Sequence, residues 1–379
     1  MIRLEELTKA FGDQVAVDRL SLEVPEGSVC VLVGPSGCGK TTTMKMINRL
    51  VEPTSGRVVL DGEDVTRVDP VRLRRRIGYV IQQVGLFPHR TVAENVATVP
   101  RLLGWSRDRT ARRTDELLAL VGLDPARFGH RYPHQLSGGQ RQRVGVARAL
   151  GADPPVLLMD EPFGATDPIT RGRLQQEFLR LQAELRKTVV FVTHDIEEAV
   201  ILGDRIAILR QGGVLEQYDT PAAVLGSPAS EFVADFVGAD RGLKRLGVTP
   251  IEAAGLDHPP VVSEGDSVAA AAQAMATDGR DRAAVVDGRG AFVGWLDRAD
   301  TDGDGTVAGA VRRDPGAVPL AASLRDVLSE MLQRDVPWVA VTDGVHLVGV
   351  ATPQTLHASL RRSVGHQGES GDDGRAPSR

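Results

Sequence analysis

Cysteine is nearly absent from this chain of 379 residues; Cys30 and Cys38 are the only two. No disulfide framework and no zinc site of paired thiolates can be built from them. Long apolar runs are missing too, and none approaches the ~18–20 residues a bilayer-crossing helix needs. The start, Met1-Ile2-Arg3-Leu4-Glu5-Glu6, has acids where a secretory signal would carry its apolar core. Lysine is scarce, 5 residues against 40 arginines, a bias that says more about composition than about function. A net charge of −5 is too mild for a general nucleic-acid binder, so no nucleic-acid partner is expected. What is present is ordinary: 42% hydrophobic and 25% charged residues, enough for globular cores. At roughly 100–200 residues per domain, the length suggests two or three domains. The expectation is a soluble cytoplasmic protein.

The charge is unevenly spread. Residues 250–360 hold 16 Asp/Glu against 8 Arg and no Lys, so the remainder is slightly basic. Such a shift places a domain boundary near residue 245. We expect a first domain over 1–240, a linker over 241–256, a second domain over 257–360 and a disordered tail over 361–379. Short apolar runs at Val29–Val33, Val156–Met159 and Val189–Val192 read as buried strands, with helix-like spacing between them. Strands alternating with helices indicate an α/β architecture with a parallel sheet.

Gly34-Pro35-Ser36-Gly37-Cys38-Gly39-Lys40-Thr41 fits the pattern G-x-x-x-x-G-K-[ST], after a predicted strand and at the start of a predicted helix. Its glycines let backbone N–H groups wrap phosphates without Cβ clashes, and the helix N-terminus adds partial positive charge. Lys40 reaches the β/γ-phosphates and the Thr41 hydroxyl binds Mg²⁺. Cys38 reads as a small filler in a variable loop position. Val156-Leu157-Leu158-Met159-Asp160-Glu161 is a strand ending in two carboxylates. Asp160 is suited to hold Mg²⁺ and Glu161 to polarise an attacking water. Leu136-Ser137-Gly138-Gly139-Gln140 offers a second anion site, with Ser137 as the N-cap of a helix. Since one loop already holds the phosphates, the economical reading is that this site serves ATP bound to another copy of the chain.

With these motifs in order, residues 1–240 resemble the ATP-binding cassette (ABC) ATPases, the P-loop motor subunits of ABC transporters. The resemblance implies that Phe11 stacks on adenine and that residues 34–42, from Gly34 through Lys40, Thr41 and Thr42, cradle the phosphates. It implies that Gln82 senses Mg²⁺ and the membrane partner, with Gln83 a weaker candidate, and that His194 contacts the γ-phosphate. Asp167, in Phe163-Gly164-Ala165-Thr166-Asp167, matches the loop that communicates across the dimer; the family usually has Leu where this chain has Thr166. The implied enzyme is an ATPase using ATP and Mg²⁺ and working as a homodimer. Its partners would be a separate integral-membrane permease and an extracytoplasmic substrate-binding protein, with the motor on the cytoplasmic face of the membrane. After Gln82, the exposed-looking Leu86 and Phe87 fall where the family forms a cleft for the permease.

The stretches from Ile77 to His89 and from Glu161 to Arg171, together with Phe191-Val-Thr-His-Asp-Ile-Glu-Glu-Ala, resemble the importers of osmoprotectants: glycine betaine, carnitine, choline or proline. A non-transport ATPase of the family would carry paired cassettes or coiled-coil insertions, and neither is present. The C-terminal part adds an internal repeat of 56 residues: Ser267, Met275, Asp287 and Gly288 recur as Ser323, Met331, Asp343 and Gly344. Each copy has a helix-like stretch, a β-branched run, an Asp-Gly hairpin signal and a second apolar run. This resembles a tandem CBS pair, a regulatory α+β module. The resemblance implies a nucleotide in the cleft between copies, with Asp300 at the ribose-binding position of the first copy and Thr355 at that of the second. The arginine pairs Arg280/Arg282, Arg312/Arg313 and Arg361/Arg362 could form a local basic patch. Asp300-Thr-Asp302-Gly-Asp304-Gly305 copies the start of a calcium loop, but Val311 stands where the closing Glu should be, so no calcium site is expected.

Overall fold

The computed structural model describes residues 1–365 apart from 83, 84, 165, 304, 314 and 315. Gln83 and the tail beyond residue 365 therefore lie outside the described residues. The chain divides into two compact units, 1–224 with 228–239, and 225–227 with 240–379.

Strands of the first unit are β1 (Ile2–Phe11), β2 (Gln14–Val24), β3 (Val29–Val33), β4 (Ser55–Leu60), β5 (Glu63–Asp64), β6 (Ile77–Val80), β7 (Val156–Asp160), β8 (Thr188–Val192), β9 (Arg205–Arg210) and β10 (Val214–Asp219). A six-stranded sheet runs β10-β9-β3-β8-β7-β6. Its strands β9, β3, β8, β7 and β6 pair in parallel, and β10 closes one edge antiparallel. Every residue of β3, β7 and β8 is buried, which is why they read as continuous apolar runs and not as alternating ones. A second, antiparallel sheet runs β2-β1-β4-β5. Between the sheets lies one core that includes Leu4, Leu20, Leu32, Met44 and Leu158. The parallel sheet decides where function sits. The C-terminal ends of β3, β8, β7 and β6 are neighbours, and ligands of such sheets bind at that edge.

The second unit contains β11 (Val261–Ser263), β12 (Arg282–Val286), β13 (Phe292–Asp297), β14 (Ala317–Pro319), β15 (Val339–Asp343) and β16 (His346–Ala351). They form two three-stranded sheets of the same plan, β11-β12-β13 and β14-β15-β16, each with a parallel and then an antiparallel pairing. Helices Val268–Thr277 and Leu324–Arg334 occupy equivalent places, capped by the repeated Ser267 and Ser323. Both Asp-Gly signals are hairpins. In the first, the Asp287 carboxylate accepts from the N–H groups of Arg289 and Ala291; in the second, Gly344 takes the left-handed conformation. The copies pack on each other through Ala284, Trp295, Ala340 and Val350.

Two expectations need correction. The segment 241–256 is not a free linker. Arg241–Leu246 is a helix, and Leu246, Ile251 and Leu256 are buried in the core of the second copy beside Val327, Met331 and Val339. Five of the six arginines in the three pairs, Arg280, Arg282, Arg312, Arg313 and Arg362, each ion-pair with a carboxylate, which offsets the basic patch the pairs suggested.

Candidate functional site

The phosphate-loop sequence joins β3 to the helix Lys40–Ile47. Its glycines are required by the backbone: Gly34, Gly37 and Gly39 all have positive φ. A Cβ on Gly34 would meet the Leu209 carbonyl oxygen at 2.1 Å, and one on Gly39 would meet that of Ala16 at 2.4 Å. The loop is thus clamped between β9 and β2. Gln211 Nε2 donates to the Ser36 carbonyl at 3.1 Å and adds a further tie. Cys38 is buried, with its Sγ 3.7 Å from Lys40 Nζ. Lys40 is buried, and its Nζ donates to the carbonyls of Gly34 (2.7 Å) and Pro35 (3.0 Å), so the ammonium lies over the loop. Thr42 follows in the first turn of the helix. Phe11 ends β1 as a 53% exposed residue, with the Lys9 ammonium 4.9 Å from its ring centroid.

At the end of β7, the Thr41 hydroxyl donates to Asp160 Oδ1 at 3.1 Å, joining the phosphate loop to the strand-end carboxylate. Burial pushes the Asp160 carboxyl above its usual range; the Thr41 hydrogen bond opposes this and the neighbouring Glu161 charge adds to it. Glu161 follows the strand in the left-handed conformation, with φ of 43°. There Gln82 Nε2, following β6, donates to Glu161 Oε2 at 3.1 Å. His194 Nδ1, following β8, lies 3.2 Å from Glu161 Oε1. Three segments distant in sequence thus meet at one carboxylate because their strands are adjacent.

Ser137, Gly138, Gly139 and Gln140 lie elsewhere. Ser137 caps the helix Gly138–Ala149 in a reciprocal box with Gln140. These four residues share a cavity of about 430 Å³ with Thr166 and Asp167. No residue of the phosphate loop lines that cavity. Asp167 caps the next helix, and the hydrogen bond from Thr170 holds its carboxyl below the usual range. Thr166 keeps the loop compact through its hydroxyl, which donates to the Phe163 carbonyl at 2.7 Å.

Sequence reasoning missed two residues that shape the segment after Gln82. Asn95 is fully buried; its Nδ2 donates to the carbonyls of Phe87, Arg90 and Thr91, and its Oδ1 accepts from the Phe87 N–H. Arg148, near the end of the helix that Ser137 caps, donates to the Gly85 carbonyl. Both bind backbone carbonyls, which no side-chain pattern reveals. In the second unit, Asp300 is held by Arg312, whose Nε lies 2.9 Å away, and Thr355 bonds to its own turn at Thr352.

The model of the ABC transporter family matches residues 17–164, and that of the CBS domain matches residues 255–300. The glycine betaine/carnitine/choline transport ATP-binding protein of Bacillus subtilis is 46% identical over 363 residues, covering 94% of this chain and 95% of that protein. The osmoprotectant import ATP-binding protein of Salmonella typhimurium is 47% identical over 350 residues, 90% of this chain and 91% of that one. Among solved structures, a dimeric ATP-binding cassette in a post-hydrolysis state, bound to ADP and Pi, is 37% identical. It superposes with a TM-score of 0.52 over 58% of this chain and 99% of its own. Identity of this extent, over nearly the full length of both partners, shows that the chain belongs to the ATP-binding proteins of ABC transporters.

Proposed function

We propose that the chain is the ATP-hydrolysing subunit of an importer for quaternary-amine osmoprotectants such as glycine betaine, carnitine, choline or proline. It works as a homodimer on the cytoplasmic face of the membrane, beneath separate permease subunits fed by an extracytoplasmic binding protein. The CBS pair is its regulatory part. The hydrolytic assignment rests chiefly on the Glu161 carboxylate, held by Gln82 and His194 at the same sheet edge as Lys40, Thr41 and Asp160. The cargo is supported by likeness to the two transport proteins, which extends through both units. Among the described residues no helix is long and apolar enough to cross a membrane, so a separate permease fits.

Phe11 offers a face to the adenine, and Lys40 with the loop N–H groups of residues 34–42 holds the β- and γ-phosphates. Thr41, Asp160 and Gln82 supply oxygen donors suited to a hard divalent cation, and the Thr41–Asp160 contact already brings two together. Mg²⁺, when bound, neutralises charge on the phosphate oxygens. Glu161 takes the proton of the attacking water, with its two oxygens fixed by Gln82 and His194. His194 then also faces the γ-phosphate. The separation of the Ser137–Gln140 cavity from the phosphate loop supports its use by the ATP of the partner copy.

Two variants test this in the protein assembled with its permease. Glu161→Gln should bind ATP normally and lose phosphate release about 10²–10⁴-fold, the usual scale of general-base removal. Near-normal turnover would refute the role of Glu161. Ser137→Arg should block hydrolysis without weakening ATP binding to the isolated chain; weakened binding there would place Ser137 on its own chain's nucleotide. Uptake of labelled glycine betaine that requires ATP, and is lost in Glu161→Gln, tests the cargo.

A further inference from the structure

A cavity of about 960 Å³ in the second unit lies between the two CBS copies and is lined by Trp295, Trp338, Arg282, Asp297, Arg298 and Arg312, among others. Its size suits a small organic ligand. The two indoles form a corner, centroids 6.5 Å apart and planes at 73°. Trp295 is buried and Trp338 half-buried. The Arg282 guanidinium lies 3.2 Å from the centre of the Trp338 ring, so one face of that indole already carries a cation and a ligand meets only the ring surface left lining the cavity.

The charges around the cleft are matched. Arg280 makes a two-pronged pair with Asp257, at 2.7 and 2.8 Å. Arg282 and Arg312 share Asp297, and Arg312 also holds Asp300. A polyanion such as a nucleotide needs unmatched cations, and the carboxylate that would anchor its ribose, Asp300, is engaged. Arg298 is the loosest of these arginines, 4.0 Å from Asp281, a carboxylate that is itself 94% exposed.

We propose that this cleft binds a small zwitterion with a quaternary ammonium head, the head against the Trp295–Trp338 corner and the carboxylate on Arg298. A quaternary ammonium donates no hydrogen bond, loses little on leaving water and is attracted to indole faces. A carboxylate matches the fork of an arginine. Such a ligand brings no net charge into a cleft whose charges already balance. That the ligand is the transported solute itself, so that the motor subunit registers what its transporter accumulates, rests on the function proposed above.

Two of the three tryptophans line the cleft, so tryptophan fluorescence of the full chain reports its occupancy. Glycine betaine should give a saturable change, with glycine inert and tetramethylammonium weaker. Binding should weaken about tenfold in Trp338→Leu, the scale of one desolvated cation–π contact. Arg298→Ala, at an exposed side chain, should weaken it similarly without threatening the fold. Trp338→Phe and Trp105→Phe should retain it. No saturable response to glycine betaine, or an equal response to glycine, would overturn the proposal. So would a response to AMP, lost in Trp338→Leu, with glycine betaine silent; that result would assign the cleft to a nucleotide. The assay contains neither permease nor turnover, so a negative result leaves the transport function standing, and a failure of uptake leaves the binding result standing.

Discussion

At the scale of single residues, Asp160 carries a conflict between stability and function. It is buried at the end of β7, and burial raises its carboxyl pKa above the ordinary value of 3.8. The folded protein therefore keeps this proton in a pH window where the unfolded chain has lost it. The stability from this group is full below pH 3.8 and is lost as pH rises through the folded value. Asp160→Asn removes the titration. Its thermal midpoint should exceed that of the wild type at neutral pH, and the gain should shrink as pH falls toward 3.8. The same change removes an anionic oxygen from the expected Mg²⁺ site and should slow hydrolysis at least about 100-fold. Midpoints across a pH series, paired with phosphate release, check both halves. A variant less stable at neutral pH would show that the Thr41 hydrogen bond outweighs burial.

At the scale of elements, the phosphate loop shows why its glycines differ in importance. Gly34 and Gly37 both have positive φ, but an added Cβ meets the Leu209 carbonyl at 2.1 Å in the first case and nothing within 4 Å in the second. Gly34→Ala must push the loop away from β9, and overpacking of this kind costs about 1–3 kcal/mol. It should lower the unfolding midpoint and remove most ATP affinity, while Gly37→Ala carries only the backbone strain and keeps measurable binding. Equal effects in ATP titrations of the two variants would mean that strain, not the clash, governs the loop. This loop was legible in the sequence because its eight residues are consecutive and the strand and helix around it have clear patterns. The meeting of Gln82, Glu161 and His194 was not legible from spacing; it depends on the order β6-β7-β8 and came only through family resemblance. Asn95 and Arg148 were invisible because their partners are backbone carbonyls. In the repeat, the helices and hairpins announced themselves, whereas the three-residue strands β11 and β14 were too short to show a period.

At the scale of the whole molecule, charge and packing place the boundary differently. The acidic balance of 250–360 drew the break near residue 245, with a linker reaching to 256. Packing instead divides the chain at residues 239 and 240. The segment that follows has no strong period, and Gly242, Gly247 and Pro250 make it look like a connector. Yet Leu246, Ile251 and Leu256 complete the core of the second copy, and the N–H of Leu324 donates to the Thr249 carbonyl at 3.0 Å. Fully burying an aliphatic side chain contributes about 1.5–3 kcal/mol, so these three matter to a small sheet-and-helix unit that would otherwise expose its core. A fragment starting at Asp240 should fold cooperatively. One starting at Asp257 should lose several kcal/mol and expose the helix Leu324–Arg334 to hydrogen exchange before Val268–Thr277. In the complementary pair, a chain ending at Ala239 should stay soluble, and one ending at Leu256 should aggregate through its uncovered leucines and isoleucine. Equal denaturation midpoints for the two C-terminal fragments, or equal solubility of the two N-terminal ones, would return 241–256 to the status of a linker.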